Sequence, residues 1–278
     1  MLKVTTAIHV AIGIMLELSI MVPNLARAAL PPKPVVHTAP ITVAPKSAVH
    51  ATPILPVARD SSEGNLTVCG SEQNIQGTDV TDYANGTDWD SVHQGGTGFV
   101  FIKATEGNDF TNSLFASDWK ASGKSGLKRG AYHFFRPQDE GLTQAKFFLD
   151  TIGKLSADDL APVLDWETTD DVDNALQISR ALDWLKTVEA ATGRVPIIYV
   201  SPGFFNQLGN PKEFVRYPLF IADWDTSCPS VPPPWSKWTF WQNTKSGSIP
   251  GLVNDADIDV FGGTAKDLRG LTRASPLR

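Results

Sequence analysis

Residues that bind transition metals are scarce in this chain of 278 residues. Only two cysteines are present, Cys69 and Cys228, and of the five histidines only His93 and His133 lie beyond residue 69. Zinc sites are built from clusters of such side chains. The composition therefore argues against a zinc amidase or peptidase, and we expect neither a metal nor any other cofactor.

The chain also lacks the basic charge and the glycine motifs of nucleotide-binding proteins. It has 24 Lys and Arg against 30 Asp and Glu, a formal net charge of -6, and no basic patch. Nucleic acid is therefore not an expected partner. The stretch SGKS at 122–125 matches the end of a phosphate-binding P-loop, but Asp118 stands where that loop needs glycine. The Gly-x-Ser-x-Gly motif of serine hydrolases does not occur.

Aromatic residues are absent from residues 29–68, which carry seven prolines between Pro31 and Pro56. Such a segment buries too little apolar surface to offset its ordering entropy, and we assign it as a disordered linker. Upstream, a lysine at position 3, an apolar stretch and the sequence Ala-Arg-Ala at 26–28 are typical of a secretory signal. We predict a signal peptide at 1–28 cleaved after Ala28, a globular domain at 69–278, and export. An uncleaved membrane anchor is the alternative.

Two thiols in an exported chain suggest a disulfide. We therefore predict a bridge between Cys69 and Cys228, which would join the start of the domain to a late loop. Two free thiols are the alternative.

Apolar, β-branched runs alternate with amphipathic segments along the domain. The predicted strands are Ile75–Val80, Gly98–Ala104, Arg129–Phe134, Ala161–Asp165, Val195–Val200, Pro218–Ala222, Trp238–Gln242 and Ala256–Val260. The predicted helices are Thr111–Ser122, Thr143–Ile152, Val172–Ala191, which Gly193 should end, and Pro202–Gln207. This alternation favours a closed α/β barrel of parallel strands, irregular at its end because the last three strands leave little room for helices. A doubly wound open sheet is the alternative.

Acidic residues recur where these strands end, the usual place of functional groups in such barrels. They are Asp79, Asp165, Glu167, Asp223, Asp225, Asp257 and Asp259. Single acids there are commonly helix caps, as we predict for Thr168, Asp170 and Asp171. The pair Asp165 and Glu167 differs, because residues i and i+2 of a strand point to the same side. Two neighbouring carboxylates repel each other, which tends to raise the pKa of one of them. A carboxylic acid that stays protonated near neutral pH suits general acid catalysis on a glycosidic oxygen.

Aromatic residues beside these acids favour a sugar ligand. The chain has eight tryptophans. Trp166, Trp224, Trp241 and Tyr199 fall at or beside predicted strand ends, where their flat apolar faces would suit sugar rings. Trp184 lies within a predicted helix, and we assign it to the core.

Eight motifs follow one another between about Gln76 and Phe261: GTDVTDYANGTDW, GFVFIKATEG, RGAYHFFRP, APVLDWE, IIYVSP, PLFIADWD, FWQNT and DADIDVF. In this order they resemble the glycoside hydrolase family 25 lysozymes, the N-acetylmuramidases of bacteria, phages and fungi. The resemblance implies an irregular TIM-like (β/α)5(β)3 barrel. It also implies hydrolysis of the β-1,4 bond between N-acetylmuramic acid and N-acetylglucosamine in peptidoglycan glycan strands. We expect such an enzyme to be a monomer.

The resemblance also implies roles for individual residues. Glu167 would be the general acid, and Asp165 would stabilise the positive charge that develops at the sugar. Asp79 and Asp257 would complete the acidic site, and the groove would be lined by Tyr132, Tyr199, Trp224 and Gln242. Thr81 stands where the family usually has serine, and it keeps the hydroxyl group. For Lys103 and Glu106, a buried supporting role and contact with substrate both stay open.

Two routes are open for the chemistry. An Asp-x-Glu pair on one strand suits substrate assistance, in which the 2-acetamido oxygen of muramic acid attacks the anomeric carbon. An inverting route, with Asp79 or Asp257 activating water, is the alternative. A chitinase is disfavoured because Leu160 and Val163 occupy earlier acid positions of that motif. A non-catalytic sugar-binding module on the same barrel would lack the acid, whereas Glu167 is present.

Overall fold

The structure is a computed structural model, and it describes residues 64–70, 74–81 and 85–273. The predicted signal peptide and residues 29–63 of the predicted linker lie outside the described residues. None of the helices in the described part is long and apolar enough to cross a membrane.

Strands and helices alternate through most of the described chain. The strands are β1 Leu66–Thr67, β2 Ile75–Val80, β3 Phe99–Glu106, β4 Phe110–Thr111, β5 Lys128–Phe134, β6 Val163–Asp165, β7 Ile197–Val200, β8 Leu219–Ala222, β9 Ser230–Val231, β10 Phe240–Gly247 and β11 Ala256–Phe261. The helices are α1 Trp89–Gln94, α2 Phe115–Ser125, α3 Gly141–Ile152, α4 Asn174–Thr192, α5 Pro202–Gln207 and α6 Ala265–Gly270, with a 3-10 turn at Lys212–Phe214.

Eight of the strands close into a barrel. Their order around it is β2, β3, β5, β6, β7, β8, β10 and β11, and β2 closes the ring because it pairs with both β3 and β11. The pairings from β2 round to β10 are parallel, whereas β11 is antiparallel to both of its neighbours. The barrel prediction is thus confirmed and the open-sheet alternative is wrong. The carboxyl ends of seven strands and the amino end of β11 share one mouth.

The barrel interior is filled by phenylalanine side chains below this mouth. Five of them, from four strands around the ring, have neighbouring ring centroids 5.1 to 5.7 Å apart. They are Phe99, Phe101, Phe220, Phe240 and Phe261. Large inward-facing side chains make such a barrel a packed core rather than a pore. The phenylalanine plug therefore forms the floor on which the mouth residues rest.

Local signals explain the long helix α4. Asp173 caps its first turn by accepting a hydrogen bond from the Ala175 N–H at 2.8 Å. Gly193 ends it in the left-handed region at φ 68, as predicted. Trp184 is fully buried, which confirms its assignment to the core. The prediction that Thr168, Asp170 and Asp171 cap this helix is wrong, because the helix begins later and Asp173 has that role.

Other predicted boundaries also move, for identifiable reasons. Helix α2 begins at Phe115 rather than Thr111, because Phe110–Thr111 folds back as β4 onto the end of β3. Strand β10 continues five residues beyond Gln242, as shown by its pairing with β11 through Gly247. The short helices α1 and α6 were not predicted from the sequence.

A disulfide joins the start of the domain to a late loop. Cys69 and Cys228 are bonded across 159 residues of sequence, with their Cα atoms 4.5 Å apart. Next to it, Leu66–Thr67 pairs antiparallel with Ser230–Val231. This short strand lies inside the span assigned to the linker, so ordered structure extends upstream of the predicted boundary at residue 69.

A buried histidine couples this fold to pH. His133 is fully buried and stacks on Trp184 with ring centroids 5.5 Å apart. Its Nε2–H donates to Gln144 Oε1 at 3.0 Å, so its Nδ1 accepts from the Thr105 hydroxyl at 2.7 Å. Burial lowers the pKa of His133 to about 4 from an ordinary value of 6.5. The folded state therefore holds the neutral ring.

We predict that this histidine destabilises the protein in acid. Between pH 6.5 and 4 the histidine binds a proton in the unfolded state but stays neutral in the folded state. The free energy of unfolding therefore falls as pH falls through this window. The shift corresponds to about 3 kcal/mol of unfolding free energy. Urea unfolding of His133→Gln should show a correspondingly flatter pH dependence over that window than wild type. His93→Gln, at an exposed position, is the control, and equal slopes for His133→Gln and wild type would contradict the prediction.

Candidate active site

Four carboxyl groups meet at the mouth of the barrel. Asp79 comes from the end of β2, Asp165 is the last residue of β6, Glu167 follows it, and Asp257 is the second residue of β11. All four line a cavity of about 300 Å³. The same cavity is lined by Tyr132, Tyr199, Trp224 and Gln242. The structure thus brings all eight residues of the predicted sugar site together.

A tryptophan sets the direction of the Asp165 and Glu167 side chains. Trp166, between them, is fully buried on the outer side of the barrel, where it packs edge-on against Phe135, Phe204 and Phe214. Because successive side chains of an extended chain alternate sides, anchoring Trp166 outward turns both acids inward. Trp166 therefore acts by packing, and its predicted contact with sugar is wrong.

Of the other aromatic residues predicted to face sugar, Trp241 does not line the cavity, whereas Trp224 and Tyr199 do. Trp241 is buried, and its indole N–H donates to the Asp223 backbone carbonyl at 2.8 Å, so it does not line the cavity. Trp224 is 39% exposed, and together with Tyr199 it presents an aromatic surface to the cavity. The sugar-facing prediction thus fails for Trp166 and Trp241 because their side chains leave the strand on the outer face.

Gln242 connects three groups of the site. Its Nε2 donates to Asp79 Oδ2 at 2.6 Å. Its Oε1 accepts from the Tyr199 hydroxyl at 2.9 Å and from the Trp224 indole N–H at 2.7 Å. The two donors fix which end of the amide is oxygen, and the amide then fixes the orientation of the Asp79 carboxyl group. One side chain from β10 thus aligns an acid from β2 with an aromatic platform that follows β8.

Burial and mutual repulsion favour retained protons in this cluster. The pKa of Asp165 is raised well above its usual range by burial and by the charges of Glu167 and Asp79, against the pull of Lys103. Burial also raises the pKa of Glu167. The charge of Lys103 lowers this pKa, and the charge of Asp257 raises it. Taking carboxylates out of water and placing them together disfavours their ionisation. These raised pKa values shift the carboxyl groups in the direction that proton donation requires.

Asp79 and Asp257 form a hydrogen-bonded acid pair. Burial and the charge of Asp257 raise the pKa of Asp79 well above its usual range, and the shared hydrogen bond raises it further. Burial also raises the pKa of Asp257, whereas its hydrogen bond to Asp79 and the charge of Lys245 lower it. The shared hydrogen bond thus raises the pKa of Asp79 and lowers that of Asp257, as expected when Asp79 donates and Asp257 accepts.

A chain of ion pairs runs outward from the cavity. The Lys103 ammonium lies 2.8 Å from Glu106 and over the rings of Phe110 and Phe134. Arg136 continues the chain, at 3.5 Å from Glu106 and 3.1 Å from Asp170. Lys103 therefore belongs to a supporting network and also lines the cavity, so a supporting role and contact with substrate are compatible. Asp170 serves this network rather than capping α4.

Not every acid near a strand end belongs to the site. Asp223 accepts a hydrogen bond from the Ser230 N–H at 2.8 Å, and neither it nor the exposed Asp225 lines the cavity. These two acids therefore follow β8 without lining the candidate site. Asp259 faces inward but lies deeper, fully buried, and neither of its carboxyl oxygens has a hydrogen-bond partner among the described residues.

A larger cavity of about 880 Å³ continues the mouth toward the loop between β10 and β11. The two cavities share Asp79, Thr81 and Asp257. The Thr81 side chain hydrogen-bonds Tyr132, so the hydroxyl that replaces the usual serine has a structural partner in the site. Together the cavities form a groove that extends past the acids and has room for more than one sugar ring.

Comparison with known proteins identifies the family. The sequence profile of glycosyl hydrolases family 25 matches residues 78–252. The chain belongs to that family. The family 25 resemblance of the eight sequence motifs is thereby confirmed, and the protein is a glycoside hydrolase of the lysozyme and muramidase type. The profile match includes Asp79, Asp165, Glu167 and Gln242 and ends before Asp257.

Relatives and solved structures agree with this assignment. The YegX protein of Escherichia coli is 35% identical over 201 residues, 70% of this chain and 72% of that protein. The N,O-diacetylmuramidase of Arthroderma benhamiae is 34% identical over 206 residues, 70% of this chain and 86% of the relative. The crystal structure of the bacterial lysozyme from Streptomyces coelicolor matches with a TM-score of 0.70 and 30% identity, over 73% of this chain and 98% of that chain.

Asp259 generates a stability prediction for this family 25 enzyme. Burial, with the charges of Asp79 and Asp257, raises its pKa well above its usual range. A raised folded-state pKa stabilises the fold below the unfolded pKa of 3.8, and this contribution is lost as pH rises toward the folded pKa. We predict that Asp259→Asn, which keeps the shape and carries no proton to lose, gains stability relative to wild type as pH rises from 4 to 7.

Urea unfolding at both pH values measures this difference. The matched control is Asp150→Asn, at an exposed position on α3, for which the difference from wild type should be the same at the two pH values. The prediction is wrong if Asp259→Asn shifts the unfolding free energy equally at pH 4 and pH 7.

Proposed function

We propose that this family 25 enzyme is an exported peptidoglycan hydrolase that cleaves the β-1,4 bond between N-acetylmuramic acid and N-acetylglucosamine, with Glu167 as the general acid. The observation that carries the proposal is the position of Glu167. It is buried enough to have a raised pKa, yet it lines the same cavity as Asp165, Asp79 and Asp257. A protonated carboxyl group at that place can donate to a glycosidic oxygen.

The bond-breaking step follows from this arrangement. Glu167 gives its proton to the oxygen of the leaving sugar as the bond from that oxygen to the anomeric carbon of muramic acid breaks. The 2-acetamido carbonyl oxygen of the same sugar attacks that carbon and forms a cyclic, positively charged intermediate. Asp165 is placed to hold the acetamido N–H and to stabilise the charge. Water then attacks the anomeric carbon and opens the cyclic intermediate, while the Glu167 carboxylate takes a proton from that water. The anomeric configuration is therefore retained.

An inverting route is the second candidate. It is favoured by the hydrogen bond between Asp79 and Asp257, since this bond raises the pKa of Asp79 and lowers that of Asp257. Asp257 would then take a proton from a water molecule that attacks the opposite face of the sugar. The anomeric form of the first product, observed by NMR before mutarotation, separates the two routes.

The position of the bond is tested by a digest of purified peptidoglycan with the full chain. The released fragments are reduced with borohydride and examined by mass spectrometry. Reduced muramic acid ends support the proposed muramidase. Reduced glucosamine ends assign the other glycosidic bond. No fragments, together with tight sugar binding, would support the binding-module alternative.

The role of Glu167 generates a sharper prediction. We expect Glu167→Gln to lower kcat by at least roughly a hundredfold, because the amide fills the same space but cannot donate as a carboxylic acid does. Thermal unfolding and sugar binding should stay close to wild type. Glu213→Gln, exposed on the 3-10 turn Lys212–Phe214, is the matched control with unchanged kcat. Unchanged hydrolysis in Glu167→Gln would remove this residue as the acid.

The remaining predictions belong to this proposal. Export rests on the signal-like residues 1–28, and a bacterial cell-wall substrate lies outside the cytoplasm. The domain limits and the monomeric state stay predictions. N-terminal sequencing of the exported protein tests cleavage after Ala28, and sedimentation tests the monomer.

A further inference from the structure

The sugar-binding cavity is lined by two cations with different surroundings. Lys103 is held by Glu106 and by two aromatic rings. Lys245, on the outer part of β10, is exposed, and its ammonium rests 4.7 Å from the centre of the Trp224 ring. Within residues 64–70, 74–81 and 85–273, Lys245 has no ion pair shorter than 4.0 Å. Its charge is therefore available to a ligand.

The position of Lys245 relative to the reacting centre is set by the sheet. Strands β8 and β10 are parallel neighbours, with Ala222 opposite Gln242. Trp224 follows β8 by two residues, and Lys245 lies three residues beyond Gln242 on β10. The indole N–H of Trp224 is fixed to Gln242, which also holds Asp79. A ring placed against Trp224 is thus aligned with the same framework that aligns the acids.

The excess of acidic groups at the mouth indicates what the charge of Lys245 can do. Four carboxyl groups line the cavity, and the chain has a formal net charge of -6, so a negatively charged ligand needs a compensating cation. The field of Lys245 reaches the site, because it lowers the pKa of Asp257. An exposed contact between an ammonium and an indole is weak, so the lysine exchanges it readily for a charge-assisted hydrogen bond to a carboxylate.

We propose that Lys245 and Trp224 form a specificity subsite for a carboxylate-bearing sugar, in which the ring lies against the indole and the ammonium binds the carboxylate. The inference rests on the proposed function, since muramic acid carries a lactyl carboxylate and its stem peptide carries others. A neutral N-acetylglucosamine chain offers no carboxylate. The pair therefore selects the anionic sugar of the polymer over its neutral counterpart.

The test compares three glycans. The first is peptidoglycan glycan stripped of its peptides, which exposes the lactyl carboxylates. The second is the same glycan with those carboxylates converted to methyl amides, and the third is the peptide-bearing glycan. The ratio of kcat/KM between the first and second glycans is measured for wild type, Lys245→Met and the control Lys120→Met, a lysine exposed on α2.

We expect amidation to lower kcat/KM about tenfold in wild type and Lys120→Met, and to have little effect in Lys245→Met. The wild-type ratio should shrink as salt is raised, since a charge contact at an exposed rim is screened. A loss of activity in Lys245→Met that is equal on the charged and the neutralised glycans overturns the proposal. It would mean that the lysine acts on the fold or on Asp257 instead.

The peptide-bearing glycan separates the two sources of carboxylate. A penalty for Lys245→Met confined to the stripped glycan assigns the lactyl group, and a penalty confined to the peptide-bearing glycan assigns the stem peptide. Both outcomes support a carboxylate subsite.

A binding measurement distinguishes failure of the proposed function from failure of the carboxylate subsite. The dissociation constants of the stripped, methyl-amidated and peptide-bearing glycans are measured for Glu167→Gln with and without Lys245→Met, which needs no turnover. If wild type hydrolyses none of the glycans but Lys245→Met still abolishes the binding preference for the charged one, the proposed function fails and the subsite stands. Equal binding preference with and without Lys245 rules out the lactyl carboxylate, and the whole subsite is overturned when Lys245→Met also leaves the binding of the peptide-bearing glycan unchanged.

Discussion

The pairing of β2 with both β3 and β11 is the constraint on which the site depends. It closes the sheet, and because β11 runs against its neighbours, its amino end arrives at the mouth where the parallel strands have their carboxyl ends. Asp257 thereby lies beside Asp79, although the two are far apart in sequence. The hydroxyl of Thr78 reinforces the junction by donating to the Asp257 carbonyl at 2.7 Å. A sheet opened between β2 and β11 would leave these two acids at opposite edges.

Closure concentrates like charges, and the structure offsets the resulting cost in three ways. Burial raises the pKa of each mouth acid, which favours the neutral carboxyl groups and thereby weakens the repulsion. Gln242 donates to Asp79, and Lys103 stabilises the ionised forms of Asp165 and Glu167. Asp259 has no hydrogen bond of this kind among the described residues. The mouth acids thus lower the stability of the fold, while the same burial shifts their pKa values in the direction that proton donation requires.

Much of the fold was predictable because it depends on local pattern. Apolar runs bounded by turns located all eight barrel strands, and Ile75–Val80 and Pro202–Gln207 were predicted to the residue. The acids of the site were found because barrel strands place functional groups at their ends. The outer limit of β10 was missed, since residues 243–247 are polar and nothing local distinguishes a paired polar strand from a loop. With it the sequence analysis missed Lys245.

Side-chain direction was the harder prediction. Trp166, Trp224 and Trp241 all lie near strand ends, yet only Trp224 faces the cavity. Alternation along the Asp165–Glu167 pair already implied that Trp166 points outward, so that error was avoidable. For Trp241 and Asp223 the answer depends on contacts between separate strands and loops, such as the indole hydrogen bond to the Asp223 carbonyl. Those contacts exist only once the barrel has closed.

The loop after Glu167 shows how such contacts position the proposed general acid. Asp170 and Asp171 both have positive φ, 46 and 58, a region that is unfavourable for residues other than glycine, although Asp tolerates it better than most. Thr168 donates to Asp170 at 3.0 Å, and Arg136 forms an ion pair with Asp170. The backbone conformation is thus held by side chains rather than by local preference. Since Arg136 also reaches Glu106, and Glu106 holds Lys103, one network supports the loop that carries the proposed acid and the cation that stabilises its ionised form.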